Sequence, residues 1–307
     1  MGKIDNGIVS VNAYGICENI TFPLVFKVFK PKGTLKESDT YKTKIELASA
    51  IICEVVKRGF EVELVLADSL YGEASLFLRT LEKYNLPWVV AIRSNHGVWL
   101  SHEQKVRANK WCKFERIFSN QTSENRYIRE IIYGKRNKRT YWEITTDPKT
   151  MPTNSTSFVM TNIQTTRHKM KQQLGNLYGL RTWIEYGFRQ CKQELGWTNY
   201  RFTNFEQIDK WWEIIFSAYW MISSLSQELC ELSSTQNFLV NISLHPQWSN
   251  QGGWKTTLNN LRLIIQPTVL FWTIIPWLDV FPNRSLLLGF HQLIATINNI
   301  SAYFPDG

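Results

Sequence analysis

Cysteine is scarce and unpatterned in this chain. The five residues Cys17, Cys53, Cys112, Cys191 and Cys230 are odd in number, and no two are spaced as CxxC. Neither a disulfide framework nor a cysteine zinc site can be read from such spacing, and a reducing cytoplasm is the simplest setting. Long apolar runs are lacking too. The most apolar stretch, VLFWTIIPWL at 269–278, is too short for a membrane span and contains Pro276, so it reads as a buried or interface helix with a break. No signal peptide opens the sequence. Acidic residues are in deficit, 26 against 35 Lys and Arg, and the net charge of +9 favours a polyanionic partner. With 307 residues the chain can bury a sizeable core, as one large domain with insertions or as two domains.

What is present is an alternation of strand and helix signals. Residues 7–16 (GIVSVNAYGI) and 22–30 (FPLVFKVFK) read as strands, and 43–58 as an amphipathic helix with Ile45, Ala48, Ile52 and Val55 on one side and Gly59 past its end. Strand 61–68, helix 73–84 and strand 88–93 come next, which makes an α/β core. From Ser94 to about Asn162 the pattern changes to short alternating pieces separated by turn residues, a β-rich insertion. Its KRNKR hairpin puts Lys135, Arg136, Lys138 and Arg139 at one tip, with Arg126 and Arg129 on the preceding strand. Clustered cations at a tip are commonly solubilising, and they also suit phosphate contacts. Helix 205–230 carries Trp211, Trp212, Phe216, Tyr219 and Trp220, read as core packing, and 233–253 reads as a linker. Short helices are expected before and after Pro267.

The most informative segment is YGLRTWIEYGFRQCK. On one continuous helix Tyr178, Arg181, Glu185 and Lys192 fall within an arc of about 60°. A neighbouring stripe of Leu177, Leu180, Ile184, Phe188, Cys191 and Leu195 has the spacing of a buried face. A solvated face with an Arg181–Glu185 pair is the plain alternative. Upstream, EVELVLAD ends an apolar strand in Asp68 and runs into SLYG. A carboxylate there is held rigidly and reaches a cleft, although a strand-terminal Asp also serves as a helix cap.

Together these residues resemble the YREK signature and the ADSxYG context of insertion-sequence transposases with a DDE active site. The resemblance covers nearly the whole chain. It implies an RNase H-like α/β fold in four parts: residues 1–94 the first part of the catalytic core, 95–162 the β-rich insertion, 163–232 the return to the core with the YREK helix, and 233–307 a linker and helical C-terminal region. It also implies DNA cleavage and strand transfer at element ends, with Mg²⁺ or Mn²⁺ in a two-metal site. Asp68 and Glu185 would be catalytic metal ligands, and Tyr178, Arg181 and Lys192 would contact the DNA backbone. The implied partners are the element's terminal inverted repeats and target DNA, with a homodimer as the candidate assembly, no membrane, and a bacterial cytoplasmic, nucleoid-associated location.

One departure from the family bears on activity. In the resembling proteins the first catalytic Asp lies on a strand upstream of the one matching 7–16, whereas this sequence opens with MGKIDNG at the turn between those strands. The first core strand and the first metal ligand are therefore expected to be missing. Asp5 in its DNG turn lies at the wrong end to substitute, and Glu18 and Asp39 have no better claim. The chain is expected to be inactive by itself, and marginally stable or associating through the strand edges left open. The alternative function is a noncatalytic DNA-binding or subunit-poisoning regulator of transposition.

Overall fold

A computed structural model describes residues 8–17, 20–98, 104–106, 109–118, 122–134, 139–163, 167–234 and 241–299. The chain divides into two compact units, Met1–Ile16 with Pro23–Arg189, and Cys17–Phe22 with Gln190–Gly307.

Strands β1 (Val9–Cys17) and β2 (Ile20–Phe29) form a two-stranded sheet, and α1 (Lys44–Lys57) comes after them. Thr43 starts α1 with a reciprocal capping box: its hydroxyl accepts from the Glu46 amide, and the Glu46 carboxylate accepts from the Thr43 amide at 2.7 Å. Gly59, at φ +83°, turns the chain out of the helix in a conformation that glycine adopts without strain. Strand β3 (Val65–Ala67), helices α2 (Ser69–Gly72) and α3 (Ser75–Lys83) and strand β4 (Trp88–Ile92) make a parallel β–α–β crossover, with Val65 opposite Trp88. The expected strand at 61–68 is thus only three residues long, and the first helical turn begins immediately after Asp68 rather than at 73.

Six more strands complete the first unit: β5 (Gln104–Val106), β6 (Cys112–Ile117), β7 (Ser123–Glu130), β8 (Ile132–Gly134), β9 (Thr140–Thr145) and β10 (Ser157–Thr161). Four of them extend the sheet begun by β3 and β4, in the order β3-β4-β10-β9-β7-β6, and every pairing beyond β4 is antiparallel. β5 and β8 form a separate pair. The β-rich stretch is therefore continuous in hydrogen bonding with the α/β crossover, and β3 lies at the sheet's edge.

Alternation along β4 assigns its two faces. Trp88, Val90 and Ile92 join Leu47, Ile51, Val55, Leu78 and Leu81 in one core, while Val89 points the other way to Phe114, Ile128, Trp142, Ile144, Val159 and Leu174. Helix α4 (Arg167–Gly179) covers that second face, packing on β4, β6 and β7. A 3-10 turn at Leu180–Thr182 separates α4 from α5 (Trp183–Gln193).

The second unit is helical, with α6 (Phe205–Ser224), α7 (Ser226–Ser234), α8 (Trp254–Val280) and α9 (Arg284–Asn298). Tyr219 of α6 is its pivot. The ring stacks on Trp254 at 4.6 Å between centroids, and the hydroxyl bonds to Thr21 and Gln190. Of the expected core belt Trp212, Phe216 and Tyr219 are buried, whereas Trp211 is half-buried and Trp220 is exposed. One expectation fails in α8: the helix runs unbroken through Pro267 and Pro276. Of the two settings expected for the 269–278 stretch, buried or interface, burial within the chain holds for Phe271, while Trp272 is 68% and Trp277 64% exposed. By length and composition α8 is also sufficient to cross a membrane, which the ten-residue apolar stretch alone did not suggest.

Candidate active site

Asp68 comes directly after β3, and its carboxylate has two duties available to it. Oδ1 accepts the Leu70 amide at 3.0 Å and so caps α2, while Oδ2 has no protein partner among the described residues. Capping fixes the side chain's direction, and the residue remains exposed. Tyr71, one turn on, packs inward against Phe77. Burial and the nearby Asp68 charge push its phenol up to about 12, so it stays protonated at neutral pH. Gly72 then passes so close to β4 that an added Cβ would stand 2.2 Å from the Ala91 carbonyl oxygen. The SLYG segment is thereby clamped onto the sheet, and Asp68 with it.

Tyr178, Arg181 and Glu185 do not share one regular helix. Tyr178 is on α4, Arg181 in the 3-10 turn and Glu185 in the first turn of α5. Three residues at 120° instead of 100° each rotate the faces of α5 by about 60° relative to α4, which carries Glu185 from one side of Tyr178 to the other and leaves the four residues within a similar arc of about 60°. The turn also makes contact with β3, whose end carries Asp68. The two carboxylate-bearing segments therefore belong to the same region of the first unit. Glu185 is exposed and unpaired among the described residues, and Arg181 does not bridge to it. The Arg181 guanidinium lies 5.7 Å from the centre of the Tyr178 ring. Lys192 is exposed in the last turn of α5 and belongs to the second unit.

The buried stripe on these helices also differs from the expected one. Leu174, Gly175, Gly179, Trp183, Gly187 and Cys191 are the buried positions among the described side chains, while Leu177, Leu180, Ile184, Phe188 and Leu195 are half-buried. The glycines admit close neighbours: a Cβ on Gly175 would come within 2.3 Å of the Phe114 ring, and one on Gly187 within 2.6 Å of the Tyr14 ring. Hydrophobic periodicity cannot reveal a contact ridge made by residues that have no side chain.

Of the remaining candidates, Lys135, Arg136 and Lys138 lie outside the described residues, as do Asp5 and Glu18. Arg139 is described and donates to Glu82 at 2.7 Å. Arg129 is committed within the protein, 2.6 Å from buried Glu143 and 4.2 Å from the Trp111 ring centre. Asp39 accepts from Lys30 at 2.8 Å and from the Lys36 amide, bonds that hold its carboxyl below the usual carboxylate range. Sequence reasoning passed over Arg116 of β6, which is 8% exposed beside the Tyr178–Arg181 segment. Its only signal in the sequence was the alternation Phe114, Arg116 on an otherwise apolar inner face.

Asp68 and Glu185 offer hard oxygen donors not consumed by any cation among the described residues, and such donors suit a divalent ion of the Mg²⁺ or Mn²⁺ type. No third Asp, Glu, His or Cys completes a three-residue metal group among the described residues. The donor set therefore fits such an ion in kind.

The family described as Transposase DDE domain matches residues 42–221, a span that includes Asp68, Tyr178, Arg181, Glu185 and Lys192. The probable transposase for insertion sequence element IS701 of Microchaete diplosiphon is 48% identical over 210 residues, which cover 68% of this chain and 54% of that protein. The chain spans about half the length of this curated relative. By family match and by relative, the chain belongs to the insertion-sequence DDE transposases.

Proposed function

We propose that this chain is the DNA-handling body of a transposase that cuts and rejoins DNA at insertion-sequence ends, with Asp68 and Glu185 as two of three catalytic carboxylates. The observation that carries this reading is the packing of the Leu180–Thr182 turn, between Tyr178 and Glu185, against the strand that ends at Asp68. A divalent ion bound there would supply Lewis-acid stabilisation of phosphoryl transfer. The residues of the chain do the positioning. Asp68 is aimed by its bond to the Leu70 amide, Glu185 by the buried face of α5, and the half-buried Arg181 and Tyr178 offer a guanidinium and a phenol to backbone phosphates, with Lys192 adding a further cation. In this reading the fold is RNase H-like, and the open edge of β3 takes the strand that bears the third carboxylate. The location is the bacterial cytoplasm at the nucleoid, and the DNA bound includes terminal repeats and target.

A second reading is favoured by the two-carboxylate set: the chain binds DNA without cutting it and restrains a complete relative. Both readings are tested by titrating the protein with labelled duplex DNA across a salt series and assaying plasmid nicking with Mg²⁺ or Mn²⁺. We expect affinity to fall steeply with salt, as release of counterions requires, with no nicking by this chain alone. Binding indifferent to salt would remove the DNA reading, and metal-dependent nicking would remove the restraining one.

We further propose that α8 and α9 mediate a homodimer. Between residues 263 and 298 the only Asp, Glu, Lys or Arg residues are Asp279 and Arg284, while Trp272, Trp277, Phe281 and Leu288 are each more than half exposed. With aromatic side chains of about 150–250 Å² apiece, the exposed apolar groups of this hairpin amount to roughly 1,000 Å². A stable dimer needs about 800 Å² per partner. The double substitution Trp272→Glu with Trp277→Glu should convert a dimer into a monomer in sedimentation equilibrium. An unchanged mass would remove this face from the interface, and flotation of the parent protein with lipid vesicles would assign it to a bilayer instead.

A further inference from the structure

Arg116 is an unusual residue to find under a helix. On β6 the inner positions Phe114 and Arg116 alternate with outward Glu115 and Ile117, so the guanidinium enters the layer between the sheet and α4. Room for it exists because α4 presents Gly179, where an added Cβ would stand 3.1 Å from the Arg116 Nε. Its Nη2 donates to the Thr182 hydroxyl at 3.0 Å and to the Gly179 carbonyl at 3.3 Å, which ties the strand to the turn that carries Arg181. Arg126 of β7 lies on the same inner face, in the position paired with Phe114, and the phenol of Tyr178 is among the groups that act on Arg116.

The charges in this cluster do not balance. Among the described residues Arg116 and Arg126 share one carboxylate, Glu124, which is held by Arg126 Nε and stands 3.8 Å from the Arg116 Nη1, and the Arg181 charge also acts on Arg116. The Nε atoms of Arg116 and Arg181 are both buried and have no hydrogen-bond partner among the described residues. Burial, together with the neighbouring Arg126 and Arg181 charges, lowers the proton affinity of the Arg116 guanidinium, which marks the arrangement as electrostatically uphill in the isolated protein. A cation taken out of water costs several kcal/mol unless an anion and further hydrogen bonds compensate it. Forked guanidinium donors converging beside a phenol match the oxygens of a phosphodiester.

We infer that Arg116, Arg126 and Arg181, with Tyr178, form a cradle for one backbone phosphate of bound DNA, and that Glu124 occupies part of it as an internal competitor when DNA is absent. This assignment rests on the DNA-binding reading above. It adds Arg116 and Arg126, from strands that bear no catalytic carboxylate, to the DNA contacts, and makes the Glu124–Arg126 pair a contact that DNA displaces.

The competitor gives the test its discriminating sign. Arg116 is wedged against Gly179 and its own replacement risks unfolding, so the test uses Arg126→Gln and Glu124→Gln in the full chain, with thermal melts to verify folding. Binding of labelled duplex DNA is measured by fluorescence anisotropy across a salt series. Arg126→Gln should weaken binding about three- to tenfold near ~0.1 M salt and reduce the salt slope by about one. Glu124→Gln should strengthen binding, because it releases guanidinium donors. A merely structural Glu124–Arg126 pair would make both substitutions act in the same, weakening direction. Either Glu124→Gln binding more weakly than the parent, or Arg126→Gln keeping the parent's slope, overturns the cradle while leaving the DNA reading standing. A parent protein without salt-dependent binding overturns both.

Discussion

In a polypeptide extended upstream by a strand that carries an aspartate, Glu185→Ala is expected to abolish Mg²⁺-dependent cutting of element ends while leaving DNA affinity nearly unchanged. Removing one ligand of a catalytic ion forfeits charge stabilisation worth several kcal/mol, and about 4 kcal/mol corresponds to roughly a 1,000-fold loss of rate. DNA affinity should survive, because a carboxylate makes no favourable contact with a phosphate and its removal slightly relieves repulsion. Glu185 is exposed, and among the described residues it supports no hydrogen bond or ion pair, so its loss should also leave the melting temperature in place. Cleavage and binding assays on the same preparation check the separation. Parallel loss of both activities would make Glu185 a structural residue, and unimpaired cutting would remove it from the metal.

Gly72→Ala should produce the largest loss of stability from a single methyl group. The new Cβ would stand 2.2 Å from the Ala91 carbonyl oxygen and 2.9 Å from the Val90 Cβ, and the first of these atoms is backbone in a central pair of the sheet. Neither neighbour can rotate away, so α2 must lift off β4. A shift of that kind costs about 2–4 kcal/mol, toward the upper end for overpacking. In a chain of this size that is roughly 3–6 °C in Tm. Because the Gly72 amide donates to the Asp68 carbonyl at 2.8 Å, the same shift drags the Asp68 cap, and Mn²⁺ uptake should fall with stability. Gly33→Ala is the control: nothing lies within 4 Å of a Cβ there, and its effect should stay within about 0.5 kcal/mol. A Gly72→Ala protein that melts with the parent would mean that α2 is free to move.

Elements were legible in the sequence wherever local signals outweighed tertiary ones. Strands β1, β2 and β4 and helix α1 could be read because each combines a clear period with its own stop signal, Thr43 and Gly59 for the helix. Strand β3 was read too long, since apolar alternation at 61–64 continues beyond the three residues that pair with β4. The joining of β10, β9, β7 and β6 to β4 was not legible at all. Register between strands about 60 residues apart depends on which edge is free, and periodicity does not encode that.

In the candidate site, residue types and spacing singled out Asp68, Tyr178, Arg181 and Glu185, four positions that lie within the span matched by the family. The 3-10 turn between them was hidden, because Leu180, Arg181 and Thr182 have ordinary helix-compatible side chains and the turn is imposed by packing on β3 and by the Arg116 bond to Thr182. Glycines at 175, 179 and 187 add nothing to a hydrophobic period. They are the contact ridge of these helices, and the large partners Phe114, Arg116 and Tyr14 are far away in sequence. The prolines of α8 misled in the opposite direction. A helix accommodates Pro267 and Pro276 where the side chains around the interruption are exposed and water can satisfy the freed carbonyls.

The measurement that bears most directly on Asp68 and Glu185 as metal-binding carboxylates needs no cutting activity. Electron paramagnetic resonance of Mn²⁺ titrated into this chain reports bound ion as a loss of the free-ion signal. The parent protein should take up Mn²⁺ weakly, as two carboxylates without a third would, and Asp68→Asn and Glu185→Gln should each abolish the uptake while retaining the parent's melting temperature and DNA affinity. Uptake that persists in both variants would place the ion elsewhere and contradict the site.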